Sequence, residues 1–118
     1  MADSSMVLSQ FQGVAVANFR TPSIVDPLAV EAINKQLLEL VEEQAQKKIV
    51  LDFDVVRMMS SQMLGVLISL QKKCREIRGR VILCGVRPEV MKIFQITRLT
   101  KMFEFAENEA QGFKKLGF

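Results

Sequence analysis

Five residues, Ile49-Val50-Leu51-Asp52-Phe53, form a short apolar run of the kind shown by a strand buried on both faces, which places them at the centre of a sheet. A second run of this type lies at Arg80 to Val86, with VILCGV at its core. Between the two, Met63, Val66, Leu67, Leu70, Cys74 and Ile77 recur at helical spacing on one face of a segment opened by Ser60-Ser61 and closed by Gly79. Strands separated by a helix demand a right-handed crossover, so the centre of the sheet is expected to be largely parallel.

The flanking segments extend this pattern. Val7 to Phe11 and Gly13 to Phe19 read as two strands joined by a short turn around Gln12 and Gly13, and they supply an antiparallel component. Asp26 is placed to cap a helix with Pro27 at its first position, where a missing N–H costs nothing. That helix runs to about Gln46, with Val30, Ile33, Leu37, Leu40 and Val41 on one face. Asp54 to Met59 reads as a loop. Arg87-Pro88-Glu89 opens a further helix whose inner stripe is Val90, Ile93, Phe94 and Thr97. Thr100 to Phe105 reads as an edge strand and a last helix begins near Glu107. The order β-β-α-β-α-β-α-β-α predicts an α/β fold, a mixed four- to five-stranded β-sheet with α-helices. With 118 residues and no interior linker, one domain over residues 1–118 is expected.

Several classes of function lose their chemistry. Histidine is absent, which removes Ser-His-Asp and Cys-His nucleophilic sites and zinc sites with histidine ligands. Cys74 and Cys84 are ten positions apart, unlike a redox pair or zinc cluster, and read as small buried apolar residues in a reducing compartment. No phosphate-cradling glycine motif follows a strand. Acid pairs such as Glu42 and Glu43 or Asp52 and Asp54 read as solvated residues, not a catalytic pair. The expectation is a chain that is not an enzyme and needs no cofactor or metal.

Net charge is +3, from 16 basic and 13 acidic residues, a weak basis for nucleic-acid binding. The dense basic stretch Lys72, Lys73, Arg75, Arg78 and Arg80 reads as the wet face of a helix, with no aromatic residue interleaved to stack on bases. No apolar run reaches the roughly 18 residues of a membrane span, and no basic segment followed by an apolar block opens the chain. A cytoplasmic protein without direct membrane insertion is expected.

The polar pair Ser60-Ser61 remains. Serines ahead of a helix are most simply N-caps, yet free N–H groups and the positive helix end also favour an added phosphoryl group. Met58, Met59 and Met63 cluster beside them; core filling is the plain reading, and exposed members could form a docking surface.

The stretch Phe53 to Phe105 resembles the second half of a STAS domain, the fold of bacterial anti-sigma factor antagonists. That family reads strand, D-S-S-G-L-G, apolar helix, G-G, strand, then a proline-started helix with an L/I-F-x-x-(T/S)-(G/R)-L core. Leu64-Gly65-Val66-Leu67, Gly79, Val81 to Val86, Pro88 and Ile93 to Leu99 fall at the family's spacing without a gap. The amino-terminal half agrees in the order of its elements.

The resemblance implies a serine phosphorylated by a partner that is both kinase-like ATPase and anti-sigma factor. Counting back from Leu64-Gly65, the family's aspartate falls on Ser60, its phosphoacceptor on Ser61, its second serine on Gln62 and its first glycine on Met63. Ser61 is thus the implied phosphoacceptor, with Ser60 the weaker candidate, and Met59, Ser60, Ser61, Gln62, Met63 and Gly65 form the implied partner surface. The departures remove a charge beside the acceptor and are expected to set the bulk of Met63 on the surface that a kinase approaches. The implied mechanism is partner switching with the anti-sigma factor and serine kinase, with a phosphatase as a further partner. The alternative is a non-switching docking subunit of a transporter ATPase or a stress-signalling scaffold.

Overall fold

In a computed structural model, described over residues 5–118, the elements run β1 (Met6–Phe11), β2 (Val14–Phe19), β3 (Ser23–Ile24), α1 (Pro27–Glu42), β4 (Lys48–Asp52), β5 (Met58–Met59), α2 (Ser61–Glu76), β6 (Arg80–Cys84), α3 (Pro88–Ile96), β7 (Glu104–Ala106) and α4 (Glu109–Lys115). A five-stranded sheet has the order β1-β2-β4-β6-β7, antiparallel only between β1 and β2 and parallel elsewhere. The mixed sheet and the central placing of Ile49–Leu51 agree with the sequence reading: all three residues are fully buried.

The sheet is covered on both faces, which is why β4 and β6 lack alternation. On one side Ala15, Ala17, Phe19, Ile49, Leu51, Val81 and Leu83 meet the apolar stripes of α1, α2 and α3. On the other, Val14, Val16, Val50, Ile82 and Cys84 pack with Leu116 and Phe113 at the C-terminal end of the chain. Cys74 and Cys84 are buried, as expected, and burial pushes their thiols up to about 11 and about 12.

Three details depart from the sequence reading. The expected loop at Asp54 to Met59 contains β5, which pairs in parallel with β3 through Ser23–Met58 and Ile24–Met59 to form a second, two-stranded sheet. Two-residue strands leave no period to read; only their mutual pairing defines them. The edge strand is confined to Glu104–Ala106, because Thr100 to Met102 form a turn. Thr97 belongs to no inner stripe: it is exposed, and its hydroxyl donates to the Ile93 carbonyl at 2.7 Å.

Helix α2 ends at Glu76, and the left-handed position after it falls one residue before the expected glycine. Arg78, with φ +61°, takes the left-handed position after the helix, its N–H bonding the Arg75 carbonyl while the Gly79 N–H bonds that of Cys74. Gly79 is required for a different reason. A Cβ there would lie 2.9 Å from the Lys47 backbone and 2.5 Å from Cys74 Sγ.

Candidate functional site

The small β3–β5 sheet holds two helix N-termini side by side. Asp26 follows Ile24 and caps α1, its Oδ2 accepting the Ala29 N–H at 3.3 Å. Ser60 follows Met59 and caps α2: its extended backbone bonds the Ile24 carbonyl through N–H at 3.0 Å, and its Oγ accepts the Met63 N–H at 3.1 Å. Serine and aspartate are both strong N-cap residues, so Ser60 supplies the capping oxygen that an aspartate would supply. Ser61 is the first helical residue and exposed, and its hydroxyl is not the capping group.

The expected partner residues divide by burial. Ser61, Gln62 and Gly65 are exposed and Ser60 is half-buried. Met59 and Met63 are not on the surface: Met63 is fully buried and Met59 nearly so, both within the main core. The side chain of Met63 therefore points along the inner stripe of α2 and adds no bulk where another protein would approach. The methionine that does face outward is Met58, 57% exposed, because β5 alternates and Met59 takes the inner side. With Val25 and Leu28, exposed at the entry to α1, it surrounds the two helix ends with apolar surface.

Gly65 sits in the second turn of α2 with open space where a Cβ would be. Packing inside the domain does not require it, which leaves a bare stretch of helix backbone facing solvent, one turn from Ser61.

The loop that delivers Ser60 is fixed from both sides. Arg87 Nε donates to the Asp54 carbonyl at 2.7 Å, and Arg57 pairs with Glu89 at 3.6 Å across two exposed side chains. At the loop's start, Asp52 Oδ1 accepts the Asp54 N–H at 2.9 Å, while Asn18 Nδ2 donates to Asp52 Oδ2 at 3.2 Å and to Glu109 Oε2 at 2.8 Å. Burial raises the Asp52 carboxyl to about 6, helped by the hydrogen bond and charge of Glu109 and opposed by the Asp54 N–H. The same hydrogen bond holds Glu109 below its ordinary value. Below about pH 6 the pair holds one proton, and through Asn18 it ties β2, β4 and α4 together beneath the loop. Sequence reading missed this brace, since its members are 34 and 91 residues apart, and Asp52 had looked like a solvated strand end.

Arg98 follows α3 with φ +61°; its N–H bonds the Gln95 carbonyl and the Leu99 N–H bonds that of Phe94. This is the left-handed position that glycine favours.

Among the described residues no helix is long and apolar enough to cross a membrane. A family model for the STAS domain matches residues 6–112. The candidate anti-sigma factor antagonist BtrV of Bordetella bronchiseptica is 25% identical over 103 residues, covering 87% of this chain and 86% of its own. An anti-sigma factor antagonist STAS domain protein from Planctomyces limnophilus superposes with a TM-score of 0.83 at 19% identity, over 95% of this chain and 97% of that one. The Bacillus cell fate determinant SpoIIAA in its phosphorylated form superposes with a TM-score of 0.74 at 20% identity, over 94% and 98% of the two chains.

Proposed function

From the premise that this chain belongs to the STAS domain family, we propose that it is an anti-sigma factor antagonist working in the cytoplasm by phosphorylation-controlled partner switching. It acts as ligand and substrate of its partner, not as an enzyme. The observation that carries this reading is the division of labour at the start of α2: Ser60 provides the cap and leaves the exposed Ser61 hydroxyl at the helix end.

Unmodified, Ser61, Gln62, the bare Gly65 backbone and Met58 dock on an anti-sigma factor of the kinase-like ATPase type, which then releases its sigma factor. That ATPase transfers a phosphoryl group to the Ser61 oxygen. The new dianion is stabilised by the positive end of α2, so the fold persists, while the charge must be desolvated against the partner. A penalty of about 1 to 3 kcal/mol corresponds to roughly 5- to 150-fold in affinity, enough to exchange partners at fixed concentrations. A phosphatase resets the cycle. Two observations support this reading over a non-switching docking subunit: Met63 lies in the core and leaves the kinase's approach open, and Ser60 retains the capping role.

Wild type and Ser61→Asp used as paired baits in native cell extract test it. Retention of a kinase-like ATPase by wild type, its loss from Ser61→Asp, and phosphate on Ser61 by mass spectrometry are expected. Equal retention of the same transporter or scaffold proteins by both baits, with Ser61 unmodified, would overturn it in favour of the docking subunit.

A further inference from the structure

We propose that two copies of this chain associate through their β1 edges, joining two five-stranded sheets into one continuous antiparallel seam about a twofold axis at Leu8. The two edges of the sheet are built differently. β7 is three residues long, begins with Glu104 and is followed by Glu107, the usual protection of an edge by brevity and charge. β1 has six residues and none of these devices. From Ser5 to Phe19 the sequence contains no charged residue and no proline. Val7 to Phe11 are all exposed, Val7, Leu8 and Phe11 among the large apolar residues that face solvent.

The hydrogen-bond phase of the edge fixes the register. The Arg20 N–H bonds the Ser5 carbonyl at 2.6 Å, and β1 pairs with β2 from Met6–Phe19 to Phe11–Val14. In an antiparallel ladder, bonded and non-bonded pairs alternate. Val7, Ser9 and Phe11 therefore direct their backbone groups to β2, and Met6, Leu8 and Gln10 direct theirs outward. A second β1 laid antiparallel satisfies these groups in one symmetrical way: Leu8 opposite Leu8, and Met6 opposite Gln10 twice, with about six new hydrogen bonds.

The occupant follows from the symmetry of the edge, whose outward groups at Met6, Leu8 and Gln10 are complementary to themselves. The chain carries +3 overall, yet the approaching strands are neutral, so a second copy meets no like charge along the seam. The two Leu8 side chains become cross-strand neighbours beside Leu40 of α1 and Gln44 in the turn that follows it, which line a shallow groove with Leu8, Ser9 and Gln10. On the opposite face Phe11, already in tilted contact with Phe113 at 5.4 Å between ring centroids, lies at the margin of the seam. The α2 N-termini are carried by the separate β3–β5 sheet, so no residue of the β1 seam belongs to the Ser61 site. The assembled protein is then bivalent toward whatever docks at Ser61.

Sedimentation equilibrium of the full chain across a concentration series tests this, with Leu8→Pro as the principal variant. Proline removes an N–H that points away from β2, so the internal ladder is spared and only the outward bond is lost. The expected result is a reversible monomer–dimer equilibrium in wild type that weakens at least about tenfold in Leu8→Pro. Leu8→Lys, which sets two like charges across the axis, replaces it if circular dichroism shows Leu8→Pro unfolded. In parallel, Leu8→Cys should be joined by a short bismaleimide into a covalent dimer, whereas Glu31→Cys on the exposed face of α1 should not. A wild type that stays monomeric to about 1 mM, beyond the range of weak specific interfaces, would overturn the proposal. So would a dimer indifferent to the folded Leu8 variant and not crosslinked through Leu8→Cys.

Discussion

Ser60 Oγ accepts the Met63 N–H at 3.1 Å while the Met63 side chain is fully buried, so one short bond ties the cap of α2 to a core residue. Ser60 and Ser61 are adjacent in sequence but separable by experiment. Ser60→Ala leaves a helix-end N–H without its acceptor and should lower stability by about 1 kcal/mol. Ser61→Ala, changing an exposed hydroxyl that is not the cap, should stay within about 0.5 kcal/mol. The order reverses for modification: phosphate incorporation should survive Ser60→Ala and vanish in Ser61→Ala. Urea titrations and intact-mass measurement after incubation with the captured kinase read the two effects.

Gly65 gives a second separation. A glycine inside a helix costs about 1 kcal/mol relative to alanine, and space for the methyl is open. Gly65→Ala should therefore raise stability by about 0.5 to 1 kcal/mol, partly by restricting the unfolded chain. Gly65→Lys should keep a native far-ultraviolet spectrum but bind the partner about tenfold more weakly, because bulk now stands between the two backbones. Affinity that is unchanged in Gly65→Lys would remove this turn from the docking surface.

The carboxyl pair beneath the loop makes stability depend on pH in a direction opposite to most acids. Folding raises the Asp52 carboxyl from 3.8 to about 6, so between these values the folded chain holds a proton that the unfolded chain has lost. Its contribution is largest below about pH 4 and is lost as pH rises through about 6. Glu109, held low by the hydrogen bond from Asp52, works in the other sense: its contribution is present above its ordinary value of 4.5 and is lost on acidification below that. Asp52→Asn keeps a donor for Glu109 without a titrating proton. It should stabilise the protein at pH 7 by about 1 kcal/mol, a figure discounted for the half-exposed site. Chemical denaturation from pH 4 to pH 7.5 should show a falling limb in wild type that flattens in Asp52→Asn.

The major elements were legible because their signals are local: apolar runs for β4 and β6, helical stripes and proline starts for α1, α2 and α3. The site was only half legible. Periodicity placed Met63 on the inner stripe of α2, whereas alignment with the family placed it at the docking surface, and the structure agrees with periodicity. A helix face obeys its own spacing whatever a neighbouring position does in relatives. The cluster Met58, Met59 and Met63 was visible, but which member faces outward was not, because the exposure of Met58 depends on β5, a strand defined only by pairing with a segment 35 residues away. The Asn18, Asp52 and Glu109 brace escaped for the same reason, as long-range polar contacts leave no periodic trace.

Arg78 and Arg98 share one backbone conformation. Each follows a helix at φ +61°, and each is flanked by the paired bonds that close a helix on a left-handed residue. An L-residue with a side chain holds that conformation at a cost of about 1 kcal/mol or more, which glycine avoids. Arg98→Gly and Arg78→Gly should therefore each stabilise the fold by up to about 1 kcal/mol, reduced by the greater freedom glycine gives the unfolded chain. Gly79 shows the contrast: Gly79→Ala should destabilise strongly although it adds only one methyl, because that methyl meets the Lys47 backbone. Denaturant midpoints for the three variants decide the matter. A destabilised Arg98→Gly would mean that its side chain holds α3 in place, and partner affinity measured on the same variant would then show whether that hold extends to the docking surface.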